Sequence, residues 1–142
     1  MVVGCIPECG DKILLCRRAI EPRYGKWTLP AGYLENGETV LEGAKREAFE
    51  EARAKLKNLT PYALLNLAFI DQIYFMFRAT LVDCDCMPGY ESLEIKLFAE
   101  EEIPWDELAF SVVRETLRLY YRDRATGEFH FHIEDILPSA RT

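Results

Sequence analysis

The sequence lacks the features that would place it in a membrane or along a nucleic acid. No apolar run approaches the ~20 residues needed to span a bilayer. The opening residues, Met1 to Cys5, show neither a basic segment nor a long apolar stretch, so no secretory signal is expected. Positive charge is scarce: 17 Lys and Arg stand against 24 Asp and Glu, a net charge of −7. A broad nucleic-acid footprint needs clustered Lys and Arg, so nucleic acid is not an expected partner. A small phosphorylated ligand is still compatible, because bound divalent cations reverse the local sign. The Cys-x-x-Cys knuckle usual for structural zinc is also missing. Cys5, Cys9, Cys16, Cys84 and Cys86 read instead as small core hydrophobes and a loop pair. Their odd number, with no signal, suggests reduced thiols and a cytoplasmic setting. No repeat, linker or low-complexity tract interrupts the chain. What is present is ordinary for a folded domain: 142 residues, 49% hydrophobic and 29% charged, read as one domain over 1–142.

Apolar patterning gives the elements. Val2 to Pro7 and Lys12 to Cys16 predict a β-hairpin turning at Gly10-Asp11. Residues 17 to 30, with Pro22, Gly25 and Pro30, predict a loop, and Ala31 to Leu34 a short strand. Thr39 and Glu42 make a capping-box pattern, in which each side chain satisfies an orphan amide at a helix start. The helix is expected from Val40 to about Lys57, with Leu41, Ala48, Phe49, Ala52 and Leu56 as its buried stripe. Leu64 to Phe69 and Gln72 to Val82 predict two antiparallel strands joined at Ile70-Asp71. Asp83 to Gly89 reads as a loop and Glu94 to Phe98 as a strand. A second helix is expected from Ser111, burying Val112, Val113, Thr116, Leu117 and Tyr120, and ending at Gly127. Phe129 to Ile133 predicts a last strand. Several strands with two helices imply one α/β sandwich.

The chemistry gathers on the first helix. Glu47, Glu50 and Glu51 are spaced by three and four residues, so they share about 100° of one face. Arg46 lies one turn before Glu50. Like charges this close destabilise a helix by a few tenths of a kcal/mol per pair. A hard divalent cation such as Mg²⁺ removes that penalty and prefers carboxylate oxygen. A solvated acidic face is the plain alternative.

The wider pattern is Gly32, five residues, Glu38, seven residues, Arg46-Glu47, then Glu50-Glu51. It resembles the box of the Nudix hydrolase superfamily. Arg53 stands where that box has a glycine, and Ala48 and Ala54 are smaller than its usual aliphatics. Stretches such as Lys12-Ile13-Leu14-Leu15-Cys16-Arg17-Arg18, Gly25-Lys26-Trp27-Thr28-Leu29-Pro30-Ala31-Gly32 and Glu91-Ser92-Leu93-Glu94 resemble the branch containing FAD and ADP-ribose pyrophosphatases. Many bacterial members carry a zinc ribbon ahead of the matched region. The resemblance covers the part of those proteins that follows the ribbon and implies no ribbon in this chain.

The resemblance implies a Nudix fold, an α/β/α sandwich with a mixed β-sheet. It implies Mg²⁺ or Mn²⁺ held by Glu47, Glu50 and Glu51 with the Gly32 carbonyl, and Arg46 paired with a carboxylate such as Glu38 to aim them. The implied reaction is hydrolysis of a pyrophosphate in FAD, ADP-ribose or a similar small nucleotide. Catalytic candidates are Glu50, Glu51 and Arg46, with Glu94 first and Glu91 second as a base outside the helix. Tyr24, Trp27 and Tyr33 are candidates to stack on a ring, as are Phe69 and Tyr74, with core packing the alternative for each. Arg18 is the candidate for a phosphate contact. Nudix pyrophosphatases are often dimers, so the resemblance allows a homodimer. Alternatives are a nucleoside-triphosphate pyrophosphatase with the same metal helix and a non-catalytic nucleotide-binding module.

Overall fold

The computed structural model describes residues 1–138. Residues 139–142, the last of the expected single domain, lie outside the described residues. Strands β1 (Val2–Cys9) and β2 (Lys12–Arg18) form the expected hairpin. Gly10 supplies the turn with a left-handed φ of 61°, which a side chain disfavours. The two strands pair only next to the turn, at Glu8–Ile13 and Cys9–Lys12. Beyond it they part, and two short strands fill the wedge. β3 (Trp27–Thr28) pairs with β2, and β4 (Ala31–Tyr33) pairs with β1. Gly4 permits this, because a side chain there would run into Ala31 and the Pro30 carbonyl.

The rest of the mixed sheet is built outward. β6 (Gln72–Leu81) runs parallel to β1, β5 (Leu56–Leu67) antiparallel to β6, and β8 (His132–Asp135) parallel to β5. β7 (Ser92–Phe98) pairs with the far edge of β2. Successive residues of a strand face opposite sides. Ile13, Leu15 and Met76 accordingly join a core with Val113, Leu117 and Tyr120 of helix α2 (Ser111–Thr126). Leu14, Cys16 and Phe77 join a second core with Ala44, Ala48 and Ala52 of helix α1 (Val40–Ala52). The helices thus cover opposite faces, which makes the expected α/β/α sandwich.

Several expectations are corrected. Helix α1 stops at Ala52 rather than near Lys57, because Arg53 turns left-handed at φ 52°. Leu41 and Phe49 are 45% and 43% exposed; the buried stripe is Ala44, Ala48, Glu51 and Ala52. Small alanines let the helix lie close to the sheet, and the bulky residues point away. Strand β5 starts at Leu56, eight residues earlier than expected. It tolerates Pro61 because the register shifts there and β8 pairs only with Ala63 to Asn66, leaving the proline on an open edge. The last strand begins at His132, while Phe129 packs on Tyr62 and Tyr120.

The expectation of five reduced thiols is corrected too. Cys9 and Cys84 form a disulfide with 6.0 Å between their Cα atoms, and Cys5, Cys16 and Cys86 are free. Parallel β1 and β6 end side by side, which unites two cysteines 75 residues apart in the chain.

Candidate active site

The site begins with the start of α1. Thr39 Oγ1 accepts from the Glu42 amide at 3.1 Å, and Glu42 accepts from the Thr39 amide at 2.8 Å, so the expected capping box forms. Just before it, Glu38 meets Arg46 through two parallel bonds, 2.7 Å from Nε and 3.0 Å from Nη2. The other Arg46 donors reach the Tyr33 carbonyl at 3.1 Å, Glu47 at 2.9 Å and Glu50 at 3.0 Å. One guanidinium therefore ties the β4 end, the turn before the helix and two of the helix carboxylates together. These bonds hold Glu38 below the usual carboxylate range, the Arg46 contact contributing most.

Glu51 lies deeper, at 9% exposure, and accepts from the Ala31 amide at 2.8 Å. Burial, then Glu47 and Glu91, push its carboxyl well above the ordinary range. Burial also raises Glu47, against the pull of Arg46. The Glu47 carboxylate covers Gly32 so closely that any side chain there would collide with it. Glu47, Glu50, Glu51 and Glu91 line one cavity of about 730 Å³, with Arg18 on its wall. Clustered carboxylate oxygens, with Glu47 and Glu51 shielded and Glu50 and Glu91 open to solvent, are the donor type that hard divalent ions take. In the described residues these oxygens do not converge into a ready cage of three. Arg46 holds Glu47 and Glu50, and the Ala31 amide holds Glu51. Each of these contacts uses one oxygen, Oε2, of its carboxylate, so the second oxygen of Glu47, Glu50 and Glu51 suits a divalent ion with the Arg46 contacts kept.

A second cavity of about 270 Å³ adjoins the first and shares Arg18, Ala31, Gly32 and Tyr33 with it. Its walls are aromatic and aliphatic, from Tyr74, Met76, Phe110 and Val113, and Arg18 is its one charged residue. The Thr116 hydroxyl turns away to the Val112 carbonyl at 2.7 Å. Arg18 stacks over the Phe110 ring at 5.0 Å and donates to the Pro22 carbonyl at 2.9 Å, so it stands between the cavities.

The structure brings Gly32, Tyr33, Arg18, Arg46, Glu47, Glu50 and Glu51 together, as the sequence suggested. Four other candidates lie elsewhere, one of them Phe69, which is exposed in the turn after β5 and lines neither cavity. Glu94 pairs with Arg17 at 3.3 Å and does not line the acidic cavity; Glu91 does. Trp27 packs edge-on against Phe98, with centroids 4.9 Å apart, because β3 turns its ring into the core. Tyr24 is exposed in the loop after β2 and lines neither cavity. Phe110 and Met76 were not foreseen as lining residues. The period of two along β6, which puts Met76 beside Tyr74 on one face, was the signal for Met76.

The fold and the carboxylate row beside paired cavities define a class: α/β/α domains with an acidic helix set against a split β-hairpin. The NUDIX domain family matches residues 1–120, and the chain belongs to that family. A NAD-capped RNA hydrolase NudC from Photobacterium profundum is 31% identical over 116 residues, covering 77% of this chain and 42% of that protein. The chain thus spans less than half the length of the curated relatives it matches. The crystal structure of a NUDIX hydrolase from Nitrosomonas europaea superimposes with a TM-score of 0.91 at 50% identity, covering 96% of this chain and 78% of that one. An ADP-ribose pyrophosphatase from Streptococcus suis has the same fold, with a TM-score of 0.73 at 18% identity over 95% and 97% of the two chains. No helix among the described residues is long and apolar enough to cross a membrane.

Proposed function

We propose that this Nudix domain hydrolyses the pyrophosphate of a nucleoside diphosphate derivative, with FAD and ADP-ribose as the leading substrates. One observation carries the reading: a cavity bearing five carboxylates, those of Glu35, Glu47, Glu50, Glu51 and Glu91, adjoins an aromatic one, with Arg18 on the wall of both. A diphosphate bridge with a ring on one side matches that division.

Glu47, Glu50 and Glu51 would hold Mg²⁺ or Mn²⁺, with the Gly32 carbonyl as a further ligand. When bound, such ions neutralise the diphosphate and lower the pKa of water. The chain's own groups do the rest. Arg46 keeps Glu47 and Glu50 aimed inward. Arg18 meets a phosphate oxygen. Tyr33, Tyr74 and Phe110 hold a ring and exclude water from it. Glu91 takes the proton of the attacking water, in preference to Glu94, because it faces the same cavity as the helix carboxylates. A cytoplasmic setting, where such nucleotides occur, suits this reading.

The names of the relatives favour a second reading, in which the dinucleotide is the NAD cap of an RNA. Turnover of FAD, ADP-ribose, NAD-capped RNA and nucleoside triphosphates is to be compared with Mg²⁺, with Mn²⁺ and with EDTA. Metal-dependent release of a nucleoside monophosphate from FAD or ADP-ribose is expected. Faster cleavage of capped RNA would move the assignment to the second reading. No turnover of any of them would overturn both.

A further inference from the structure

The end of helix α1 is held by the chain segment that follows β6. A helix terminus leaves its last carbonyls without intrahelical partners. Here the Met87 amide donates to the Ala52 carbonyl at 3.1 Å and the Gly89 amide to the Glu51 carbonyl at 2.8 Å. The approach is so close at Gly89 that a side chain there would strike the Glu50 carbonyl. Two residues on, Glu91 lines the acidic cavity, and its own carbonyl accepts from the Ala19 amide at 2.8 Å, beside Arg18. One strap thus caps the helix that carries Glu50 and Glu51 and delivers Glu91.

The strap is fastened at its start. Cys84 is bonded to Cys9 at the end of β1, and Cys84 is exposed while Cys9 is half-buried. The third thiol nearby, Cys86, is raised above its ordinary pKa by burial, then by Asp83 and Asp85. It is therefore protonated near neutrality, and a protonated thiol does not attack a disulfide. Opening the bond needs an external reductant.

We propose that the Cys9–Cys84 disulfide is a redox-sensitive clasp, opened by a dithiol reductant, and that opening it slackens residues 83–91 and lowers activity at the acidic cavity. A reductant thiolate attacks the exposed Cys84 Sγ. The S–S bond breaks, and Cys9 leaves as a thiolate that takes a proton from water. The reductant's second thiol then attacks the mixed disulfide and releases Cys84. Two electrons pass to the protein, and the reductant leaves as its own disulfide. The effect on activity rests on the hydrolase reading above; the slackening does not.

The full chain is purified without reductant and compared before and after dithiothreitol. Alkylation of the denatured protein should add three groups before reduction, at Cys5, Cys16 and Cys86, and two more after it. Amide exchange at Met87 and Gly89 should rise about tenfold on reduction. Turnover of ADP-ribose with Mg²⁺ should fall by at least about tenfold, towards the roughly hundredfold loss that a 1 Å misplacement of a reacting group can cause. Cys9→Ser and Cys84→Ser should match the reduced protein and ignore dithiothreitol, while Cys86→Ser should respond as the parent does. Five free thiols before reduction would overturn the clasp. So would an intact disulfide whose reduction changes neither amide exchange nor turnover. Absence of turnover in both states would count against the hydrolase reading alone, and amide exchange would still decide the clasp.

Discussion

Arg46 grips Glu38 with two parallel hydrogen bonds, 2.7 and 3.0 Å long, across eight residues of sequence. This fork joins the turn before α1 to the helix face that carries the acidic cluster. Its remaining donors reach the Tyr33 carbonyl, Glu47 and Glu50. Arg46→Lys keeps a charge but loses the planar fork. Activity should fall about 10- to 100-fold, as when ligand-orienting partners are lost, with the main change in the metal concentration needed for half activity. Steady-state kinetics across a Mg²⁺ titration check this, and an unchanged metal response would remove Arg46 from its aiming role.

Glu51→Gln should separate chemistry from folding. The amide oxygen can still accept from Ala31, and the substitution removes a charge that burial already disfavours. Turnover is expected to drop by about 100-fold or more. Thermal stability should hold or rise, measured by scanning calorimetry on the same preparation.

Arg53→Gly should stabilise the domain. Arg53 holds a left-handed backbone at φ 52°, where a Cβ is penalised by roughly 1 kcal/mol. Its guanidinium lies 5.2 Å from the Phe49 ring, and losing that contact at the surface costs about 0.5 kcal/mol. The net gain should raise the melting temperature by about 2 °C. A lower melting temperature would show that the Phe49 contact outweighs the backbone strain.

Acidification should expose the role of Asp123. Its buried Oδ2 accepts from Tyr62 at 2.7 Å and from the His130 amide at 3.4 Å, and meets His132 Nε2 at 2.6 Å. Burial disfavours its charge, yet His132, Tyr62 and the His130 amide outweigh burial and hold the carboxyl below its usual range. A lowered carboxyl stabilises the fold above the unfolded value near about pH 4 and stops doing so as pH falls through the folded value. Denaturant midpoints should therefore fall on acidification below about pH 4. Asp123→Asn should be less stable at pH 7 by roughly 2 kcal/mol, with a flatter acid limb. An identical limb in the variant would assign the acid transition to other carboxylates.

The split between legible and hidden features follows the range of the interactions. The capping box at Thr39 and Glu42 and the row at Glu47, Glu50 and Glu51 could be read directly, because helical geometry converts spacing into direction. The stripe through Leu41 and Phe49 misled, because hydrophobicity does not say which residues are small enough to approach a sheet. Glu94 misled for a related reason: its position in β7 opposite Arg17 depends on a strand pairing 77 residues apart in sequence.

The sequence by itself determined the acidic helix and its capping box, since these rest on contacts within a few turns of chain, while the sandwich fold and the Arg46–Glu38 clamp were legible only through the family resemblance. Only the tertiary structure decided that Glu91 enters the cavity, that Trp27 leaves it for the core, and that Cys9 meets Cys84. Each depends on strands brought together from distant parts of the chain, and local propensity carries no information about which strand becomes whose neighbour.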